Sequence, residues 1–444
     1  MISLIAVSVM SIFPLLFLKT GSFLEKNKLT FVHEARTVER DSAIDAMKQP
    51  PTTNQHLENF MENFMDAKLS INVTPKNYQQ SDKFTNPRDW IQPFVGRGFH
   101  GYKTQIDEKI RKFRNSTNHS KECSFPLYAG EFGYEIAGMI PWAYHASQNG
   151  DCQVSTEGRP GTEYLYYFSN RHTIREHNGL SAPRQSGPLP KEGPLGEDPH
   201  FGDDRFKKIN NWTPPPYKVF FRNNDITLDK PLLIISNKYT MEWSGGPINH
   251  IPLDQLKEIL TLATPHYHIV YNRFEDSRLQ DRNEVKLGAN IPPYNDKVMI
   301  KESFPSVVLF EELSKDLGSD EVNLLNLYLG SMASKFISVQ GGNSVLASFF
   351  GGSNVIFCLR GREINYNSEN GGDFSYYYRF SNATISVVRI PANFCGVVRD
   401  ELLDEEFATN SQFCNGITAD EQIHIRPKRT KKWQRADIFG PPGS

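Results

Sequence analysis

Phe336-Ile-Ser-Val-Gln-Gly-Gly-Asn-Ser-Val-Leu-Ala-Ser-Phe-Phe350, continued by Gly351-Gly-Ser-Asn-Val-Ile-Phe-Cys-Leu-Arg360, alternates apolar runs with glycine pairs. Phe336 to Val339 is a short apolar run of the kind that forms a buried strand. Gly341 and Gly342 break it. Asn343 or Ser344 can cap a helix whose apolar face is Val345, Leu346, Phe349 and Phe350. Gly351 and Gly352 end that helix, and Val355 to Leu359 reads as the next buried strand. Strand, helix and strand in so few residues imply a parallel sheet with a crossover helix. At such a strand-to-helix turn the first helical N–H groups point outward at the positive end of the dipole. Glycine lets an anion such as a diphosphate approach them, and Asn343 and Ser344 add donors. Glycines also serve plain tight turns, and the stretch is neither a GxGxxG nor a Walker loop.

Val339-Gln-Gly-Gly-Asn-Ser344, with the helix and strand that follow, resembles the donor-site segment of GT-B-type glycosyltransferases. Upstream, Ala129-Gly-Glu-Phe-Gly-Tyr-Glu-Ile-Ala-Gly-Met-Ile-Pro141 resembles the Gly-x-(Phe/Leu)-Gly segment that opens their acceptor-side domain. The resemblance covers roughly residues 123–395. It implies an α/β fold of two Rossmann-like halves. It also implies a nucleotide sugar held at the C-terminal half and an acceptor hydroxyl entering from the N-terminal half.

The 444 residues have room for two domains. A net charge of −2 gives no electrostatic case for nucleic acid. Residues 2–18 carry no charge, which is at the short edge of a membrane span. Either a signal-anchor or a cleaved signal peptide fits, with no Lys or Arg before Lys19. The expected organisation is a membrane segment (1–20) and a polar stem (21–120). An acceptor-side domain with a Pro/Gly-rich insertion (121–225) follows, then a nucleotide-sugar domain (226–400) and an extension with a basic tail (401–444). Trp90, Ile91, Phe94 and Phe99 suggest that the end of the stem docks on the domain.

The resemblance implies a single-pass type II protein of the Golgi or endoplasmic reticulum with its catalytic domain in the lumen. Five glycosylation sequons, at Asn72, Asn115, Asn118, Asn211 and Asn382, are compatible with that. In a lumenal setting Cys123 with Cys152 would clasp the helix between them, and Cys395 with Cys414 would staple the C-terminal segment. Cys358 lies in an apolar strand and reads as a buried thiol. The alternative is that all five are reduced.

For the acceptor side, Ser124–Tyr128 reads as a strand and Glu131–Ala146 as a helix kinked by Pro141. Glu131 and Glu135, four apart, share a helix face, and His145 lies nearly three turns on. Any of these three could deprotonate a hydroxyl. First-turn dipole stabilisation explains Glu131 equally well. Glu163–Ser169 reads as a strand followed by Asn170, Arg171, His172 and His177.

In the second half, strands are expected at Leu232–Ile235, His266–Tyr271, Ser306–Phe310 and Thr384–Ile390. His266 and His268 would then share a strand face, yet no third metal ligand is evident. Lys238, Arg273, Arg360 and Arg362 each fall just after an expected strand, on the edge where ligands bind. Guanidinium groups match diphosphate oxygens; solvated loop charge is the plain alternative for each.

No Asp-x-Asp of the GT-A type and no Gly-x-Ser-x-Gly elbow stands out. The expectation is a metal-independent glycosyltransferase without a cofactor, acting on a glycan or glycoprotein hydroxyl. Gly341, Gly342, Asn343 and Ser344 would hold the donor, with Lys238, Arg273, Arg360 and Arg362 on its phosphates. The alternative is a non-catalytic membrane-anchored protein that binds carbohydrate or nucleotide.

Overall fold

The computed structural model describes residues 86–116, 121–125, 127, 132–149, 152–175, 214–240, 246–273, 291–360, 383–389, 391–402 and 424–425. All lie within Thr53–Ser444. The membrane segment expected at 2–18 lies outside them. No helix among the described residues is long and apolar enough to cross a membrane.

The stretch expected as stem joins the core from Asp89 on. A 3-10 turn, Asp89–Phe94, leads into helix α1, Gly96–Ser116. Phe99, Tyr102, Ile106 and Ile110 recur at helical spacing and are buried, as are Trp90 and Phe94. Burying each large aromatic here contributes about 1.5–3 kcal/mol. Helix α1 touches both halves of the fold. Tyr102 stacks on Tyr328 with ring centroids 3.6 Å apart, while Asp107 accepts a hydrogen bond from Tyr164 at 2.8 Å.

The first half is a three-stranded parallel sheet, β1 (Lys121–Phe125), β2 (Cys152–Gly158) and β3 (Arg171–Ile174), in the order β1-β2-β3. Helix α2 joins β1 to β2. It runs as Phe132–Tyr134, a π-helical turn Glu135–Met139, and Ile140–Asn149. Pro141 comes two residues after the π turn, in the first turn of Ile140–Asn149. Proline has no N–H to give the helical ladder, and a wider turn accommodates it. Cys123 and Cys152 form a disulfide across β1 and β2 with Cα atoms 5.6 Å apart. Cys395 is also disulfide-bonded, and Cys358 is a buried free thiol. Cys414 lies outside the described residues.

Glu163–Ser169, expected as a strand, is a series of tight turns. Leu165 and Tyr166 both donate to the Thr162 carbonyl, and Ser169 donates to Tyr166. All five residues from Tyr164 to Phe168 are buried. Turns let this unbroken aromatic run pack on several sides at once. The true neighbours β2 and β3 are more polar, and Arg171 and His172 lie inside β3 rather than beyond a strand end. His177 lies outside the described residues.

Helix α3 (Tyr217–Phe221) leads to the second half. Its strands are β4 (Leu232–Asn237), β5 (His268–Arg273), β6 (Val308–Leu309), β7 (Lys335–Val339), β8 (Ser353–Phe357), β9 (Thr384–Val388) and β10 (His424–Ile425). Between them run α4 (Leu253–Ala263), α5 (Asp296–Ser303), α6 (Phe310–Ser314), α7 (Ser319–Met332), α8 (Gly342–Phe349) and α9 (Pro391–Leu402). The sheet order is β10-β9-β8-β7-β4-β5-β6, parallel throughout except for β10. Its six parallel strands therefore follow the doubly wound order 3-2-1-4-5-6. Both faces are covered, and alternate β4 residues serve two cores. Leu232 and Ile234 pack with α7 and α8 residues, Leu233 and Ile235 with α4 and α9 residues.

His266 falls in the turn before β5, so it shares no strand face with His268. The latter stacks on Trp90 and bonds to Asp229. The strand expected over Ser306–Phe310 shrinks to β6, because Phe310 already opens α6.

Candidate functional site

In this sheet the chain runs outward from β4 through β5 to β6, then crosses back to β7 on the opposite side of β4. The order reverses between β4 and β7. Ligands of open parallel sheets bind at such a switch point, beyond the carboxyl ends of the strands. The Gly341-Gly342 turn follows β7 after Gln340, and Asn237, Lys238 and Tyr239 stand at the end of β4.

The two glycines serve different needs. Gly341 has φ +142° and ψ −170°, a region essentially reserved for glycine, and a Cβ there would meet only open space. Gly342 is needed for proximity. A Cβ on it would lie 3.2 Å from the Gly133 Cα and 3.4 Å from the Phe132 ring. Gly133 belongs to the first turn of α2. The two glycine segments singled out in the sequence thus meet, and the starts of two helices face one region.

Behind the turn, α8 is fastened to the sheet by buried polar groups. Asn354 on β8 donates to the Ser344 carbonyl at 3.1 Å and to Ser348 at 2.9 Å, and accepts from Ser338 at 2.8 Å. Ser344 is fully buried, and its hydroxyl donates to the Gly341 carbonyl at 2.8 Å. It closes the turn rather than offering a donor outward. Asn343 is half-buried in the first turn of α8.

The basic residues divide. Arg273 is buried and forms a two-point pair with Asp296, at 2.6 and 2.9 Å. Asp296 also accepts from Tyr271, which in turn accepts from Asn237. Arg273 thereby braces the ends of β4 and β5. Lys238 is half-buried at the end of β4, and its backbone N–H donates to Asn237. The Arg360 side chain is exposed, while its backbone N–H and carbonyl clasp the Asn249 side chain at 3.0 and 2.8 Å. Arg362 and Glu131 lie outside the described residues. Of the sequon asparagines, Asn115 is exposed on α1, and Asn72, Asn118, Asn211 and Asn382 lie outside.

Glu135 sits in the π turn of α2 with no solvent exposure. Its Oε1 accepts from Tyr166 at 3.0 Å, and its Oε2 has no hydrogen-bond partner among the described residues. Burial pushes the carboxyl up to about 7, against the pull of Arg159 and of the Tyr166 hydrogen bond. Enclosed in this way, it does not touch the crevice. His145 is half-buried near the end of α2. The structure thus gathers Gly341, Gly342, Asn343 and Lys238 at the switch point, but not Glu135 or Arg273. Asn237 and Asn249, which hold the strand ends together, were not singled out in the sequence. Their signal there is slight: an asparagine at the end of a strand, and another in a Gly/Pro loop. Among the described residues no three His, Cys, Asp or Glu side chains are grouped to hold a metal.

A doubly wound α/β protein with a glycine turn at its switch point is the class that this geometry defines. No family model matches the sequence, and no curated protein matches it. Among solved structures it is similar to a glycosyl transferase family 9 protein from Veillonella parvula, with 9% identity and a TM-score of 0.34 over 66% of this chain and 94% of that one. It is similar to Escherichia coli ADP-heptose LPS heptosyltransferase II, with 11% identity and a TM-score of 0.36 over 61% and 92%. A third is the iron-containing dodecameric glycosyltransferase TibC from enterotoxigenic E. coli, with 15% identity and a TM-score of 0.29 over 54% and 59%.

Proposed function

We propose that the chain transfers a sugar from a nucleotide-sugar donor to a hydroxyl of a glycan or glycoprotein. The observation that carries this reading is the Gly341-Gly342 turn at the switch point of a 3-2-1-4-5-6 sheet, in contact with the first turn of α2. The donor diphosphate rests on the N–H groups of the first turn of α8, where glycine leaves them open to an anion. Lys238 and Arg360 neutralise the diphosphate as it departs, and Arg362 assists. Charge develops on that leaving group in the transition state, so fixed N–H dipoles and cations there lower the barrier.

Helix termini and cations suffice for this chemistry, so transfer proceeds with no metal or other cofactor. The acceptor enters beside the first turn of α2. Glu131 directly precedes Phe132 and is the proton acceptor if configuration inverts; a retaining reaction needs none. Glu135, walled off from solvent, fixes the π turn instead of meeting the hydroxyl. The lumenal, membrane-anchored placement through residues 2–18 belongs to the same reading.

The test is transfer itself. The full chain is incubated with UDP-, GDP-, CMP- and ADP-sugars, a glycan pool and EDTA, and nucleotide release is followed. Acceptor-dependent release from one donor class, abolished in Gly341→Val, supports the reading. Tight nucleotide binding without any release removes transfer from it and leaves a binding protein.

A further inference from the structure

Tyr239 stands two residues beyond β4, on the other side of the switch point from Gly341. Its ring stacks on Tyr294 with centroids 4.6 Å apart and planes 16° from parallel, and it meets His250 edge-on at 5.1 Å. Its hydroxyl has no hydrogen-bond partner among the described residues, and the side chain is half-buried.

The ring beneath it is immobilised. Tyr294 donates its hydroxyl to the Ile251 carbonyl, and the Arg273 guanidinium lies 5.5 Å from its ring centroid. Arg273 is itself held by Asp296. Tyr239 is thus a half-buried ring beyond the end of β4, backed by a braced one.

We infer that Tyr239, supported by Tyr294, is the platform on which the base of a nucleotide stacks. This rests on the donor-site reading above and deepens it. Adjacent strands lie about 5 Å apart, so a ligand whose phosphates sit at the end of β7 carries its next portion over the end of β4. A flat aromatic base can stack on such a ring, which supplies affinity without itself choosing the base.

Full-chain protein is titrated by calorimetry with ADP, UDP, GDP, pyrophosphate and ribose 5-phosphate, as wild type, Tyr239→Ala and Tyr239→Phe. Melting temperatures confirm that each variant is folded. The expected result is that Tyr239→Ala weakens the best nucleoside diphosphate roughly 5- to 150-fold. Pyrophosphate should stay within about twofold, and Tyr239→Phe should bind like wild type. Unchanged nucleotide affinity in Tyr239→Ala overturns the platform while the donor site stands. So does an equal loss for pyrophosphate, which would place Tyr239 on the phosphates. A wild-type protein that binds none of these ligands removes both.

Discussion

Gly342 and Gly133 face each other so closely that a Cβ on Gly342 would lie 3.2 Å from the Gly133 Cα. The first belongs to the turn after β7 and the second to the first turn of α2, so this contact joins the two sheets at the proposed site. Gly342→Val is expected to push the two helix starts apart, lowering both melting temperature and nucleotide affinity. Gly341→Ala meets no neighbour, yet forces a side chain into a glycine-only conformation at a cost of about 1–3 kcal/mol. Chemical denaturation of both variants checks this. If both are as stable as wild type, neither glycine is required by its geometry.

The pair Arg273–Asp296 is buried and two-pronged. Removing one partner leaves an uncompensated charge, so Arg273→Ala or Asp296→Ala should each cost about 3–5 kcal/mol. The single substitutions are not additive, and Arg273→Lys does not restore the fork. Arg360→Ala behaves in the opposite way. Its exposed side chain contributes within about 0.5 kcal/mol to stability, while nucleoside diphosphate affinity falls. Urea unfolding alongside binding titrations separates the two roles.

Two groups, one buried and one half-buried, give stability opposite dependences on pH. Glu135 titrates near 7 in the folded chain, above its unfolded value of 4.5. Between those pH values the folded state holds a proton that the unfolded state has released, so stability falls as pH rises, by roughly 3 kcal/mol in all. His172 is pushed down to about 4, mainly by burial. From about pH 4 to 6.5 the unfolded state binds the extra proton, and stability rises with pH by a similar amount. The two slopes oppose each other in the wild type. Glu135→Gln removes the falling branch, so its melting temperature should climb from pH 4.5 to 6.5 more steeply than that of wild type. Parallel curves for the two proteins would contradict the assignment.

The disulfide Cys123–Cys152 closes a 29-residue separation that contains all of α2. Cross-linking that loop restricts the unfolded chain and is worth about 3–4 kcal/mol. Cys123→Ser with Cys152→Ser should lower the denaturation midpoint accordingly, most visibly in probes of α2 such as Trp142 fluorescence.

The second sheet was legible in the sequence because its strands are continuous apolar runs bounded by glycine, proline or asparagine. Such runs are what a parallel sheet covered on both faces requires. The first half was harder to read. Its strand β2, Cys-Gln-Val-Ser-Thr-Glu-Gly, is mostly polar and gains its buried positions through hydrogen bonds such as Thr156 to Ser169. The aromatic run at 164–168 imitates a strand while packing as turns. Helix α1 carried a clear signal in Phe99, Tyr102, Ile106 and Ile110, obscured by the glycines and charges around them. At the site, the glycine turn was visible as a local pattern. The commitment of Arg273 to Asp296 was not, because the partners lie 23 residues apart and are joined only by the fold.

The central claim is that the Gly341-Gly342 turn receives a nucleoside diphosphate. The most direct measurement is the melting temperature of the full chain and of Gly341→Val with ADP, UDP, GDP and CMP, in EDTA. At 100 times its dissociation constant a ligand stabilises by about 2.7 kcal/mol. A rise with one nucleotide class is expected in the wild type, and none in the variant. No rise with any nucleotide in a well-folded wild type, or an equal rise in Gly341→Val, would contradict it.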